Sequence, residues 1–172
     1  MSATDSAASI ATRTEREVWR LLAEVPDPEI PVLNVVELGI IRYVRSEDER
    51  RVEVGVSPTY TGCPATEVIQ RSIKDKLVSE GYGEVKVTSV LAPPWTSDWL
   101  TTSGREKLRE YGIAPPEHAV GNPRHLFREP QVHCPRCSSL KTQRVSEFAS
   151  TPCKALYRCS ACLEPFEYFK CI

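Results

Sequence analysis

Two CxxC pairs near the end of the chain constrain the fold more than any other feature. CPRC at residues 134–137 and CSAC at residues 159–162 are separated by 21 residues. At this spacing, two tight turns can place four thiolates around one ion. The segment 133–172 has only 40 residues, too few to bury an adequate core, so a structural ion worth on the order of 10 kcal/mol is what would let it fold.

The residues between and after the pairs predict the shape of this segment. KALYRC and EPFEYFKCI contain alternating aromatic or apolar residues, which are typical of short strands. Four sulfurs at tetrahedral corners suit zinc. We therefore expect a zinc ribbon over residues 133–172. The predicted ligands are the four paired cysteines, Cys134, Cys137, Cys159 and Cys162.

Some properties of this metal site stay open at the level of sequence. Iron and two-iron clusters accept the same four thiolates, so the spacing does not separate them from zinc. His133 is adjacent to Cys134 and is a weaker candidate ligand. Cys153 and Cys171 lie outside the pairs, and each is either packed in a strand or loop or a spare ligand.

Cys63 stands apart from the other six cysteines, in the stretch VSPTYTGCPATEVIQ at residues 56–70. This stretch is predicted to run from a strand through a tight loop into a helix. Pro64 suits the first turn of a helix, so Cys63 is expected at the helix N-terminus, where partial positive charge favours a thiolate. Cys63 is therefore a candidate nucleophile or metal ligand, and simple packing is the alternative.

Length and composition predict one domain of ordinary size with a small satellite. The 172 residues include 41% hydrophobic residues and carry a formal charge of -1, which gives no electrostatic reason to expect nucleic acid or an anionic membrane as a partner. No apolar run approaches the roughly 20 residues of a membrane span, and the N-terminus lacks the apolar centre of a signal peptide. We expect a soluble cytoplasmic protein whose cysteines stay reduced.

The rest of the pattern predicts a small α/β (α+β) domain over residues 12–113, preceded by a disordered tail at residues 1–11. The expected elements are a helix capped by Thr12 or Thr14, a hairpin with strands starting at Leu38 and Arg51, a helix after Cys63, a strand from Glu84 and a helix capped by Ser97. The helix after Cys63 is expected to bury Val68, Ile69, Ile73, Leu77 and Val78. Four prolines between residues 114 and 132 predict a semi-extended linker.

Prolines in the segment PDPEIP hold Asp27 and Glu29 close together. These prolines end the first helix and force an extended, turn-rich path. From the local sequence alone, the two carboxylates are most simply solvated turn residues.

Three blocks resemble the iron-sulfur assembly domain family of bacterial SufT-type proteins and eukaryotic cytosolic iron-sulfur targeting factors. The blocks are DPEIPVLNVVELGII from Asp27, SPTYTGCPATEVI from Ser57 and PPWTSDWLTTSGREKLREYGIAPP from Pro93. The tryptophan-rich third block and the ribbon narrow the resemblance to family members encoded with the phenylacetyl-CoA epoxidase of aerobic phenylacetate degradation. The resemblance covers residues 12–172.

The resemblance implies a small mixed sheet with flanking helices, with Cys63 as the functional cysteine and Asp27 and Glu29 as the acidic motif. It also implies a role in maturing or delivering iron or iron-sulfur clusters, with the epoxidase subunits or their reductase as clients. One thiolate cannot hold a cluster alone. Iron or a cluster would therefore bind transiently at Cys63, with further ligands from a second chain, as in a homodimer, from a client cysteine or from a small thiol.

Three other functions compete with this accessory role in maturing iron-sulfur or di-iron centres. A non-catalytic structural subunit of the oxygenase fits the same resemblance. A thiol enzyme would need a general base near Cys63, but all three histidines fall at or after His118. A nucleic-acid-binding ribbon is disfavoured because four thiolates around zinc leave a charge of about -2. We predict an accessory factor, neither an enzyme nor a partner of nucleic acid or membranes.

Overall fold

The structure is a computed structural model that describes residues 13–46, 48, 50–60, 62–116 and 130–170. The predicted tail at residues 1–11, most of the predicted linker, and Cys171 lie outside these residues. No helix in the described ranges has the length and apolar composition needed to cross a membrane.

The first sheet has three strands, and its order follows the chain. β1 (Ile41–Ser46) pairs antiparallel with β2 (Arg51–Val56), and β2 pairs parallel with β3 (Glu84–Ser89). A parallel pair requires a crossover connection, which α2 (Ala65–Ser79) supplies, while α1 (Arg13–Leu22) precedes the sheet. The predicted mixed sheet with flanking helices is confirmed.

The buried face of α2 is narrower than its sequence indicates. Ala65, Ile69, Ile73 and Leu77 are buried and follow an i, i+4 stripe. Val68 and Val78 are 51% and 49% exposed, so their predicted burial is wrong. Each is one residue from the stripe, and one residue rotates a helix by about 100°.

The tryptophan-rich block forms two short elements where the sequence predicts one helix. A 3₁₀ turn covers Ser97–Trp99 and is capped by Thr96, whose hydroxyl accepts the Asp98 N–H at 3.0 Å. α3 (Thr102–Tyr111) is capped by Thr101, which accepts the Gly104 N–H at 3.0 Å. The prediction that Ser97 caps a helix is wrong, because extended backbone at Leu100 separates the two elements.

This block contacts the segment just before β1, at Leu38 and Gly39. The indole N–H of Trp95 donates to the Leu38 carbonyl at 3.1 Å. Gly39 has φ of +71°, and a Cβ there would overlap the Trp99 carbonyl group. Only glycine combines this conformation with such a close approach.

We expect Gly39→Ala to destabilise the fold by about 3 kcal/mol, because left-handed strain and a backbone clash act together. Gly81→Ala is the matched control, since Gly81 has φ of +98° but open space around its Cβ position. It should cost only about 1 kcal/mol. Denaturant unfolding of both variants compares the two costs, and equal losses would contradict the clash at Gly39.

The second sheet has four strands in the order β4-β7-β6-β5. β5 (Thr142–Ser146), β6 (Lys154–Cys159) and β7 (Pro165–Phe169) form an antiparallel ribbon, as predicted for KALYRC and the segment after it. β4 (Ile113–Ala114) follows α3 and pairs parallel with β7. The first residue of the predicted linker, Ala114, therefore lies in the ribbon's sheet.

The ribbon shares a core with the first domain. Cys153 and Phe169 are 3% and 1% exposed and belong to the main hydrophobic cluster. Phe169 meets Trp95 edge to face, with ring centroids 6.0 Å apart, a geometry that stabilises aromatic pairs beyond their burial. The two modules are packed together rather than merely tethered.

Candidate functional site

The four paired cysteines meet at one end of the ribbon. Cys134 Sγ lies 3.7 Å from Cys162 Sγ, and Cys137 Sγ lies 3.6 Å from Cys159 Sγ. All four sulfurs lie within 4.8 Å of one another, a gathering of metal-type ligands found nowhere else in the described part of the chain. Sulfurs about 2.3 Å from a tetrahedral ion would be about 3.8 Å apart, so the spacing fits one ion.

The two cysteine turns have the same backbone geometry. The Cys134 N–H donates to the Ser139 carbonyl at 3.0 Å, and the Cys159 N–H donates to the Glu164 carbonyl at 2.9 Å. Each turn has a left-handed residue after its second cysteine, namely Ser138 and Leu163. The sequence does not predict these positions, because neither residue is the glycine that usually indicates such a conformation.

The sulfurs perturb one another's protonation. The backbone N–H of Cys162 approaches Cys159 Sγ at 3.5 Å and helps lower the pKa of that thiol to about 6. At Cys137 the Ser139 backbone lowers the pKa, but the neighbouring cysteine sulfurs outweigh it and raise the pKa to about 12. Thiols this close together do not all lose their protons unless a cation offsets the negative charge that would build up.

His133 does not join this cluster of sulfurs. Its Nδ1 lies 3.2 Å from the Ser138 carbonyl oxygen, and the gathered group contains only the four cysteines. The ligand set that the described residues offer is therefore all sulfur.

A second candidate site is a small, partly open cavity at the start of α2. Asp27, Glu29, Ser57, Cys63 and Cys153 are among the residues that line it. Its volume is about 20 Å³, room for one water molecule or a bare ion. The three residues that the resemblance implies thus meet at one cavity, together with a ribbon cysteine.

Cys63 is half-buried just before α2. Pro64 is the cap residue and Ala65 the first helical one, so Pro64 lies just outside the predicted first turn. The Cys63 N–H donates to the Tyr60 carbonyl at 3.3 Å, and the Thr66 N–H donates to the Cys63 carbonyl at 3.1 Å. The local chain path holds the cysteine at the positive end of the helix dipole.

Asp27 is buried and shapes its own turn. It is 5% exposed, and its Oδ1 accepts the N–H groups of Glu29 at 2.8 Å and Ile30 at 2.7 Å. Burial raises the pKa of Asp27, while these N–H groups and the charge of Lys154 act in the opposite direction. The interpretation of Asp27 as a solvated turn residue is therefore wrong.

Glu29 connects the acidic turn to the ribbon. Cys153 Sγ donates to Glu29 Oε2 at 3.5 Å, and burial with the nearby Glu29 raises the pKa of Cys153 to about 11. Lys154 follows in β6, is buried and pairs with Glu167 at 2.9 Å. Nothing in the sequence indicates Cys153 or Lys154 at this site, because only packing between the modules brings them there.

Two hydroxyl groups complete the surroundings of Cys63. Ser57 is 1% exposed, and its Oγ has no hydrogen-bond partner among the described residues. Burial and the adjacent Cys63 raise the pKa of Tyr60 to about 12, so this phenol stays protonated at neutral pH. The cavity therefore combines two thiols, two carboxyl groups and an unpaired hydroxyl.

Comparisons with known proteins agree with this two-module architecture. The model of the iron-sulfur cluster assembly protein family matches residues 15–90, and that of the PaaD zinc beta ribbon domain matches residues 120–170. A crystal structure of a domain of unknown function from Bacillus anthracis matches with a TM-score of 0.52 and 25% identity, over 55% of this chain and 91% of that one.

Two curated relatives have names that indicate a function. An Escherichia coli protein, provisionally named as the D component of a 1,2-phenylacetyl-CoA epoxidase, is 50% identical over 96% of this chain and 98% of its own length. A Porphyromonas gingivalis protein named Fe-S protein maturation auxiliary factor is 36% identical over 59% of this chain and 93% of its own length.

The chain therefore belongs to the iron-sulfur cluster assembly protein family, in the branch that carries the PaaD zinc ribbon. It is an accessory protein with a role in maturing metal centres, as the sequence predicts, and its four clustered cysteines fit metal binding. Within the family, the ribbon and its cysteines distinguish this branch from the shorter auxiliary factor.

Proposed function

We propose that this chain matures the iron-sulfur or di-iron centres of a phenylacetyl-CoA epoxidase by passing iron, or a cluster, through Cys63. The observation that carries the proposal is the meeting of Cys63 with Asp27 and Glu29 at one small cavity. The epoxidase subunits or their reductase are the proposed clients, because the relative that matches nearly the whole chain is named as a component of that system.

The donor groups at the cavity suit a transient cation. Glu29 and Asp27 supply oxygen, and Cys63 supplies a sulfur that becomes a strong ligand once its proton leaves. A thiolate with few fixed companions binds an ion less tightly than the four ribbon sulfurs, so the ion can pass to a client. A client cysteine or a second copy of this chain can provide the missing ligands for a cluster.

The ribbon ion has a different role in this proposal. Cys134, Cys137, Cys159 and Cys162 would hold one zinc ion, which supplies a tetrahedral crosslink and no redox chemistry. The ion ties β6, β7 and the cysteine turns together, and these strands carry Cys153 and Phe169 into the shared core. Zinc would thus keep the ribbon folded against the assembly domain.

The test compares epoxidase and reductase purified from cells with and without this chain. Without it, we expect the client subunits to be made and folded but short of iron, with turnover lowered in proportion. Adding iron or cluster in vitro should then restore turnover in the absence of this chain, because the proposed defect is metal supply and not substrate chemistry.

Turnover compared at equal iron content is the deciding measurement. If fully metallated subunits still require this chain stoichiometrically, the maturation proposal is wrong and a structural role replaces it. Subunits that carry a full complement of iron without this chain would also contradict the proposal.

A further inference from the structure

The cavity at the start of α2 offers very little space beside Cys63. It lies at the carboxyl end of β2, where Val56 ends the strand, Ser57 follows, and α2 begins at Ala65. The carboxyl ends of parallel strands are common places for ligands. A volume of about 20 Å³ holds one water-sized group, so it excludes an acyl group, a glutathione adduct or an iron-sulfur cluster, each of which has several atoms.

We infer that Cys63 takes up a single sulfur atom from a persulfide donor and stores it as Cys63–S–SH, with the outer sulfur in this cavity. This activity goes beyond the proposed function, because iron transfer through Cys63 neither requires it nor follows from it. The substrate class is a small-molecule persulfide, R–S–SH.

An unpaired hydroxyl group points to a ligand in this cavity. Ser57 lines it and is 1% exposed, and its Oγ has no hydrogen-bond partner among the described residues. Buried hydroxyl groups nearly always have such a partner. The outer sulfur of a persulfide can accept from this hydroxyl directly, so one atom both fills the cavity and satisfies the group.

A persulfide sulfur needs less room than a free ligand. It is bonded to the Cys63 Sγ at about 2.05 Å, whereas an unbonded atom stays at a contact distance of about 3.5 Å. Part of its volume therefore overlaps that of the cysteine sulfur, and the cavity has to hold only the remainder.

The groups around the cavity can bind both sulfurs of the persulfide. The Tyr60 hydroxyl is buried beside Cys63 and stays protonated, since burial and Cys63 raise the pKa of Tyr60 to about 12, so it can donate to the inner sulfur. The S–H of the outer sulfur can donate to Glu29, which lines the same cavity. The N-terminus of α2 adds partial positive charge near the sulfurs.

Uptake needs neither an oxidant nor a reductant. The Cys63 thiolate attacks the outer sulfur of R–S–SH, the S–S bond of the donor breaks as the new S–S bond forms, and R–S⁻ leaves and takes up the proton that Cys63 lost. A later thiolate removes the sulfur by the same exchange. Cys63 is half-buried, so exchange occurs at the open side of the cavity, and rotation of the side chain brings the sulfur inside.

Cys153 also lines the cavity, but it is a poor competitor for the stored sulfur. Its attack on the Cys63 Sγ would form a disulfide and release HS⁻. Burial with the nearby Glu29 raises the pKa of Cys153 to about 11, so Cys153 stays a thiol at neutral pH, and the thiolate is the form that attacks. Its Sγ also donates to Glu29 Oε2 at 3.5 Å.

The test uses the full chain with zinc in the ribbon, purified anaerobically and incubated with cysteine persulfide. After removal of small molecules, intact-mass spectrometry should show a gain of one sulfur atom per chain, with zinc content unchanged. Peptide mapping after alkylation should place the sulfur on Cys63. Dithiothreitol should remove it on the order of tenfold more slowly from native than from denatured protein, because the folded cavity shields it.

Variants assign the roles of the two side chains. Cys63→Ser should gain no sulfur. Ser57→Ala should gain it but lose it to dithiothreitol about tenfold faster than wild type, since the hydrogen bond to the outer sulfur is missing. Its melting temperature should not fall, because the hydroxyl that it removes is unpaired. Ser79→Ala is the matched control, since it removes an exposed hydroxyl at the other end of α2, and it should behave as wild type does.

The outcomes separate this inference from the proposed function. Wild-type protein that gains no sulfur would overturn the inference and leave the cavity to a water molecule, while iron in the client subunits would still decide the proposed function. Equal gains in wild type and Cys63→Ser would exclude Cys63 as the site of uptake. Release of H₂S with formation of a Cys63–Cys153 disulfide would overturn storage. Equal release rates from native and denatured protein, or from wild type and Ser57→Ala, would overturn the cavity as the place that holds the sulfur.

Discussion

Replacing Cys137 with Ser is expected to abolish metal binding by the ribbon and to open the core that the two modules share. The ion is worth on the order of 10 kcal/mol to a module of this size, far more than the remaining ribbon contacts can offset. When the ribbon unfolds, Phe169 leaves the edge of Trp95, which is buried in the folded protein.

The measurements are metal content and tryptophan fluorescence. Metal should fall from about one ion per chain to none, and the emission should shift to longer wavelength as Trp95 meets water. Ser160→Ala is the matched control, since Ser160 is an exposed residue of the other cysteine turn. This control should keep both the ion and the wild-type emission.

Two results would contradict these expectations in different ways. Equal metal content in wild type and Cys137→Ser would exclude Cys137 as a ligand. Loss of metal without any change in emission would show that the shared core around Trp95 stays closed without the ion.

Features encoded by local sequence were predictable. The hairpin of β1 and β2 follows from alternating valines, α2 from its apolar period, and the ribbon strand β6 from KALYRC. The stop of α3 at Gly112, which has a left-handed φ of 91°, follows from the conformational freedom of glycine. Each of these depends on neighbours a few residues away.

Features that depend on distant residues were not predictable in the same way. The capping of α3 by Thr101 rather than Ser97 reflects docking, because the Thr101 N–H donates to the Glu37 carbonyl at 3.0 Å. β4 has two residues and gains its strand geometry only by pairing with β7. Such short elements carry no period that a sequence can display.

The second candidate site, the cavity at Cys63, likewise contains residues that the sequence indicates and residues that it does not. The resemblance implied Cys63, Asp27 and Glu29, and the structure brings them to one cavity. Cys153 reaches the same place because Phe169 and its own side chain pack into the main core. A contact across 124 residues depends on how two modules dock, which no local pattern encodes.

Replacing Cys63 with Ala is expected to leave the fold nearly unchanged and to abolish support of the epoxidase. Cys63 is half-buried at the mouth of a cavity, so removing its sulfur should cost no more than about 1 kcal/mol. Its proposed role is to supply a thiolate ligand, which an alanine side chain cannot provide. Iron in the client subunits should fall to the level found in cells that lack this chain.

The matched control is Val68→Ala, on the exposed face of the same helix. It also removes a small apolar group, so it should show a similar melting curve, but with full iron in the clients. A loss of several kcal/mol in Cys63→Ala alone would favour packing as the role of this cysteine. Normal client iron in a stably folded Cys63→Ala protein would exclude transfer through its sulfur, because no other thiol of the assembly domain could replace it.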